Sequence, residues 1–198
     1  TLRPMTDNVD ARPRATLLLT RPRAASELFA DAVKQRGLPL DVVIAPLMEI
    51  VPQAAPAIPD DTALIFTSTN AIPAAGAGKG RRAWCVGPRT TQAAREAGFD
   101  AVLAGACGDE LVARLLQDRP TTPLLHLSGR HRRGDIVDRL HRAGLKVTGQ
   151  VVYDQVDVRP PAAFAATLAR TPLIVPLFSP RSAALFAQAG ESWQPKQG

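Results

Sequence analysis

The sequence predicts an α/β protein of two small domains, each a parallel sheet flanked by helices, and three observations predict it. A short apolar strand, a small or hydroxylated turn and a helix closing on glycine recur along the chain. Proline gathers at 52–59 and 159–161, where the chain would cross between domains. Finally, the apolar segment Leu173 to Phe178 needs a sheet to join, and the first two strands leave it a place.

The first unit is the strand Thr16 to Leu19, the turn Thr20-Arg21-Pro22-Arg23 and a helix over 24–36. Leu28, Phe29, Ala32 and Val33 recur on that helix at helical spacing, and Gly37 stops it. A strand at 42–44 follows, ending in Pro46-Leu47-Met48-Glu49. The run 52–59 is too rich in proline for a central strand and too poor in large apolar groups for a packed helix.

The central block predicts five strands, at 64–68, 83–87, 101–103, 124–129 and 147–153. Helices are expected over 89–97, over 109–117 with Asp109 as N-cap, and over 134–143. After Tyr153 the chain turns polar, forms a helix over 162–169 and enters the strand 173–178, which leads into Ser179-Pro180-Arg181-Ser182. Returning that strand to those at 16 and 42 makes 51–155 an inserted domain on two extended linkers. The other domain is then discontinuous, 1–50 plus 156–198, with a cleft between the two. Two segments look thin. AIPAAGAGKG at 71–80 offers little to cover a sheet, and three strands with the weakly patterned tail 191–198 suggest a first domain incomplete at its C-terminus.

At 45% hydrophobic, the 198-residue chain has the means to bury a core. Cys85 and Cys107 lack C-x-x-C spacing and read as thiols of a reducing compartment, so a cytoplasmic protein is expected. No apolar run approaches the roughly 18 residues of a membrane span. The polar segment 1–14 reads as a frayed start rather than a signal peptide. A formal charge of +6, mostly arginine, favours anionic partners.

The turns suit such partners. Where a parallel strand feeds a helix, free backbone N–H groups and the helix dipole form an anion site at the sheet's carboxyl edge. Those edges carry Thr20, Thr67, Ser68, Gly87, Thr90, Ser128, Gly129, Ser179 and Ser182. The same loops carry Arg21, Arg23, Arg89, Arg130, Arg132, Arg133 and Arg181, whose guanidinium forks grip carboxylate or phosphate. Small residues are also what tight turns require, and arginines are commonly solvated.

Other chemistries find little support. Gly76-Ala77-Gly78-Lys79-Gly80 matches neither a Walker A loop nor G-x-G-x-x-G, so no nucleotide cofactor is expected. His126, His131 and His141 form no compact ligand pattern, so no metal is expected, and His126 alternates with strand residues that pack. No G-x-S-x-G context marks a nucleophile. Aromatic residues, at 5%, are too few for the stacking platforms of a nucleic-acid binder. Tyr153, the single tyrosine, stands where the chain leaves the central block, placed either to pack at the domain edge or to donate a proton into the cleft.

Seven segments in order resemble the uroporphyrinogen-III synthase family. They are Leu17-Leu18-Leu19-Thr20-Arg21-Pro22, Ala45-Pro46-Leu47-Met48-Glu49-Ile50, Ile65-Phe66-Thr67-Ser68-Thr69-Asn70-Ala71 and Val86-Gly87-Pro88-Arg89-Thr90-Thr91, then Leu127-Ser128-Gly129-Arg130 with Arg133, Val151-Val152-Tyr153 and Phe178-Ser179-Pro180-Arg181-Ser182-Ala183. Each is weak alone, but their order and spacing extend over 16–187.

The resemblance implies two α/β domains joined by a two-stranded linker. It also implies a cofactor-independent lyase of haem biosynthesis, which closes hydroxymethylbilane with inversion of ring D and loss of water, and which acts as a cytoplasmic monomer. Carboxylates of the substrate would be held by amides and hydroxyls at the domain edges, without metal. Position by position, Thr90 matches a cleft threonine, Tyr153 the tyrosine proposed to aid loss of the substrate hydroxyl, and Ser179 a serine facing the cleft from the other domain. Thr67 and Ser68 match a hydroxyl turn. The family continues at the C-terminus with a further strand, turn and two helices that this sequence does not match. The expected site is therefore Tyr153 as catalytic residue, with Thr20, Arg21, Thr67, Ser68, Gly87, Arg89, Thr90, Ser128, Gly129, Arg130, Ser179, Arg181 and Ser182 binding substrate. A noncatalytic or regulatory relative, or an α/β binder of phosphorylated small molecules, are the alternatives.

Overall fold

The computed structural model describes residues 14–55, 57–131 and 134–191. Residues 1–13, Pro56, Arg132 with Arg133, and 192–198 lie outside the described residues. The chain divides into two compact units: residues up to Glu49 together with those from Val156, and Ile50–Gln155.

In the discontinuous unit, β1 (Ala15–Leu19) is flanked in parallel by β2 (Leu40–Ile44) and β9 (Leu173–Ile174). Leu18 packs on one face of β1, with Ala45, Leu47 and Phe164, while Leu17 and Leu19 pack on the other, with Val33. Burial on both faces is why β1 carries the apolar run Leu17 to Leu19.

Helix α1 (Arg23–Gln35) buries Ser26 and Val33 and packs Phe29 and Ala30 beside them. Leu28, expected on that face, is 59% exposed, because the stripe is centred on 26, 29, 30 and 33, one helical step away. The predicted strand at 173–178 shortens to two residues, since Pro176 brings no N–H to a ladder. Helices α5 (Ala162–Leu168) and α6 (Pro180–Glu191) complete the unit, with Phe164 edge-on to Phe186.

The second sheet has six strands, in spatial order 48–52, 147–157, 124–129, 63–66, 82–86 and 100–105. Its strands are β3 (Met48–Pro52), β4 (Ala63–Phe66), β5 (Arg82–Val86), β6 (Asp100–Gly105), β7 (Leu124–Gly129) and β8 (Val147–Asp157). From β8 to β6 each neighbouring pair is parallel. The unit boundary falls within both β3 and β8. These linkers are strands: β3, not expected from sequence, ends at Pro52, and β8 continues four residues beyond Tyr153. Gln53 N–H donates to the Val152 carbonyl at 2.8 Å.

Helices α2 (Pro88–Glu96), α3 (Gly108–Asp118) and α4 (Ile136–Arg142) follow β5, β6 and β7. The N-cap of α3 is Cys107, not Asp109, which lies in the first turn. Glu110 reaches back to accept at 2.8 Å from the N–H of Ala106, the residue just before the N-cap.

The segment 71–80 also departs from expectation. Its start forms a 3-10 helix, Thr69–Ala75, that buries Ala71, Ile72 and Ala75 in the core with Leu64, Phe66 and Val152. One of its glycines serves close approach: a Cβ on Gly78 would fall 2.3 Å from the backbone of Gly98 and Phe99. Poverty in large side chains is therefore what lets this stretch pack.

On the other face, Ile65, Trp84, Leu111, Leu115 and Leu140 form a second core. The Trp84 indole donates to Asp118 at 3.0 Å, which, with the Arg114 guanidinium, holds the carboxyl below its usual range against the opposing pull of desolvation.

Burial pushes the Cys85 thiol up to about 11, whereas Cys107 is exposed. Because the thiolate is the reactive form, we expect native protein at pH 8 to take up one equivalent of a thiol reagent, at Cys107, and a second only on denaturation. Rapid modification of both would show that β5 is not buried as described. Among the described residues, no helix is long and apolar enough to cross a membrane, and no group of three or more His, Cys, Asp or Glu is placed to hold a metal.

Candidate functional site

Parallel strands all end at one edge of their sheet, so the residues that follow them are brought together by topology alone. In the central unit the edge runs across four neighbouring strands. Tyr153 lies in β8, Ser128 and Gly129 end β7 with Arg130 just beyond, Thr67 and Ser68 follow β4, and Gly87, Arg89 and Thr90 follow β5. The ladder shifts register between Ser128 and Gly129, placing Gly129 opposite Tyr153.

That pairing is close. A Cβ on Gly129 would fall 2.5 Å from Tyr153 Cε2 and 2.6 Å from Cζ, so only glycine leaves room for the ring. Tyr153 is 6% exposed and packs among Leu127 and Val152, while its carbonyl accepts from Arg130 N–H at 3.0 Å. Arg130 Nε donates to Asp154 at 2.7 Å, and His131 Nε2 stands 3.5 Å from the same carboxylate. Partial desolvation raises the Asp154 pKa, but Arg130, the Gln155 N–H and His131 together hold it below the usual carboxylate range. Arg130 thus stands at the edge with its orientation fixed by Asp154.

The turn after β5 is locked differently. Gly87 adopts φ 78°, a conformation side chains disfavour, and its carbonyl accepts from both Thr91 N–H and Thr91 Oγ1. Pro88, Arg89 and Thr90 form the opening turn of α2, with Arg89 exposed and Thr90 7% exposed. After β4, Thr67 Oγ1 lies 3.2 Å from His126 Nε2, and Ser68 Oγ caps the 3-10 helix by accepting from Asn70 N–H. Ser128 Oγ is buried with no hydrogen-bond partner among the described residues. A cavity of about 350 Å³ on this side of the unit is lined by His126, Arg130, Asp135, Ile136, Asp138 and Gly149, among others.

The discontinuous unit has its own edge. Thr20 is 2% exposed at the end of β1, and its Oγ1 also lacks a partner among the described residues. A buried hydroxyl left unpaired costs free energy that a ligand or water hydrogen bond would recover. The Arg21 guanidinium lies 4.4 Å from the centre of the Phe178 ring. Ser179 caps α6: its Oγ accepts from Ser182 N–H at 3.1 Å and lies 2.9 Å from Ser182 Oγ. Arg181 donates to Asp157.

Sequence reasoning did not single out His126, Asp154, Asp157 or Phe178 as contacts of the edge residues. The available signals were slight: a histidine inside an apolar strand, and an acid directly after the single tyrosine.

The family described as uroporphyrinogen-III synthase HemD matches residues 27–196. Among curated proteins none matches. The chain is similar to the crystal structure of uroporphyrinogen-III synthetase from Helicobacter pylori, with 15% identity, TM-score 0.61, and 92% of this chain and 79% of that one covered. It is also similar to wild-type uroporphyrinogen III synthase from Thermus thermophilus, with 16% identity, TM-score 0.41, and coverage of 88% and 76%.

Proposed function

The chain belongs to the uroporphyrinogen-III synthase family, and from that premise we propose that it closes hydroxymethylbilane into uroporphyrinogen III with loss of water. The observation that carries this reading is the shared carboxyl edge of β8, β7, β4 and β5, where hydroxyls, helix-opening amides and guanidinium groups adjoin one tyrosine.

The chemistry begins with loss of the terminal hydroxyl, which leaves an electrophilic azafulvene on ring A. The substituted carbon of ring D attacks it to give a spiro intermediate. Cleavage, recombination and closure then invert ring D and restore the ring system. An unaided chain closes without inversion, so the protein's task is to fold the substrate, and carboxylates are the handles by which it does so. Thr67, Ser68, Ser128 and the amides of Gly129, Arg89 and Thr90 suit carboxylates at this edge, with Arg89 and Arg130 supplying charge. Thr20, Arg21, Ser179, Arg181 and Ser182 offer the same chemistry at the other unit's edge. Tyr153 is the proton donor or orienting group for the departing hydroxyl. No step requires a metal or organic cofactor.

The test is to incubate the protein with freshly prepared hydroxymethylbilane and separate the ring isomers after oxidation. The type III isomer is expected above the uncatalysed background. Type I alone, in the amount formed without protein, would overturn the proposal.

A further inference from the structure

His126 interrupts the buried run Leu124-Leu125-His126-Leu127, where packing alone would favour an aliphatic side chain. It is 3% exposed and sits opposite Ile65 in the β4–β7 ladder. Its Nε2 lies 3.2 Å from the hydroxyl of Thr67, the half-buried residue at the edge just past the end of β4. The residue also lines the cavity shared with Arg130, Asp135 and Asp138.

A threonine hydroxyl has one hydrogen to give and lone pairs to receive. A bare Nε2 takes that hydrogen, and Thr67 then offers an anion only lone pairs. A protonated Nε2 donates to Oγ1 instead, and the threonine hydrogen is left for a carboxylate. Resting on the tetrapyrrole reading, we propose that His126 is a positioning residue, held with Nε2 protonated, that sets Thr67 as a hydrogen-bond donor to a substrate carboxylate. The imidazole does not touch the substrate; it decides which way the hydroxyl points.

The test compares initial rates on hydroxymethylbilane for the full chain and its variants His126→Leu, His126→Gln and Thr67→Val. His126→Leu should raise KM roughly 10-fold, as expected for weakening one charge-assisted hydrogen bond, with kcat changed less than about twofold. His126→Gln, whose amide nitrogen can still donate to Thr67, should recover most of the loss. In the Thr67→Val background, His126→Leu should raise KM no further. Should His126→Leu fail to fold, nitrogen-15 spectra of the wild-type histidines read the protonated nitrogen directly, and a bare Nε2 would overturn the inference. A wild type that forms no type III ring overturns the cyclisation reading and this inference with it. An active wild type whose His126→Leu variant keeps its KM, or raises it equally with Thr67→Val present, overturns the inference alone.

Discussion

Replacing Tyr153 by phenylalanine is expected to slow formation of the type III ring by roughly 10- to 100-fold while leaving stability near that of the wild type. The expected loss is at or below the lower end of a positioned proton donor's contribution, because the substrate hydroxyl departs readily and many contacts share the positioning. The substitution removes only the phenol oxygen. The ring keeps its place against Gly129 and beside Leu127 and Val152, so a purely structural tyrosine would leave kcat unchanged. Steady-state rates with isomer analysis decide the matter. Wild-type kcat with an unchanged isomer ratio would return Tyr153 to a packing role.

The second large effect is expected at Gly129. An alanine there would bring its Cβ to 2.5 Å from Cε2, 2.6 Å from Cζ and 2.9 Å from the hydroxyl of Tyr153. The ring packs within the core, so it must swing or the two strands must part. Overpacking of this kind costs about 1–3 kcal/mol. Displacing the whole ring should also reduce the rate at least as far as losing its oxygen. In the Tyr153→Phe background the added alanine should still lower stability but cost little further rate, because the group it misplaces is already gone. Thermal melts and kcat on the four proteins of this cycle test the coupling. A Gly129→Ala protein with wild-type melting temperature and rate would mean that the ring does not lie against Gly129.

The parallel α/β character of both sheets was legible because its signals are local. The buried run Leu64 to Phe66, the hydroxyls after it and the glycines Gly37, Gly98 and Gly144 that close α1, α2 and α4 are each read within short windows. The common edge of Thr67, Gly87, Ser128 and Tyr153 follows from that reading, since parallel strands end on one side.

What was missed depends on distant pairing. Strand β3 pairs a proline-terminated segment in a sheet with residues about a hundred positions away, and no window of sequence records the partnership. The 3-10 helix at Thr69–Ala75 looked too small to pack because small residues signal close approach only once the neighbour is known. Leu173 to Phe178 carried strand composition, but Pro176 overrides it after two residues. Asp154 and Asp157 lie in a stretch that reads only as polar, and folding sets them against Arg130 and Arg181. The arginines were legible as a class, and the carboxylates that aim two of them were not.

The central claim, that this protein folds a linear tetrapyrrole for closure with ring inversion, is tested most directly by the isomer ratio measured against protein concentration. Substrate should be held fixed, in buffer containing a chelator and no added cofactor. Type III should rise with protein until it displaces type I as the dominant ring, and Tyr153→Phe should shift the curve to higher concentration. A ratio that stays at its protein-free value across the whole range would contradict the claim.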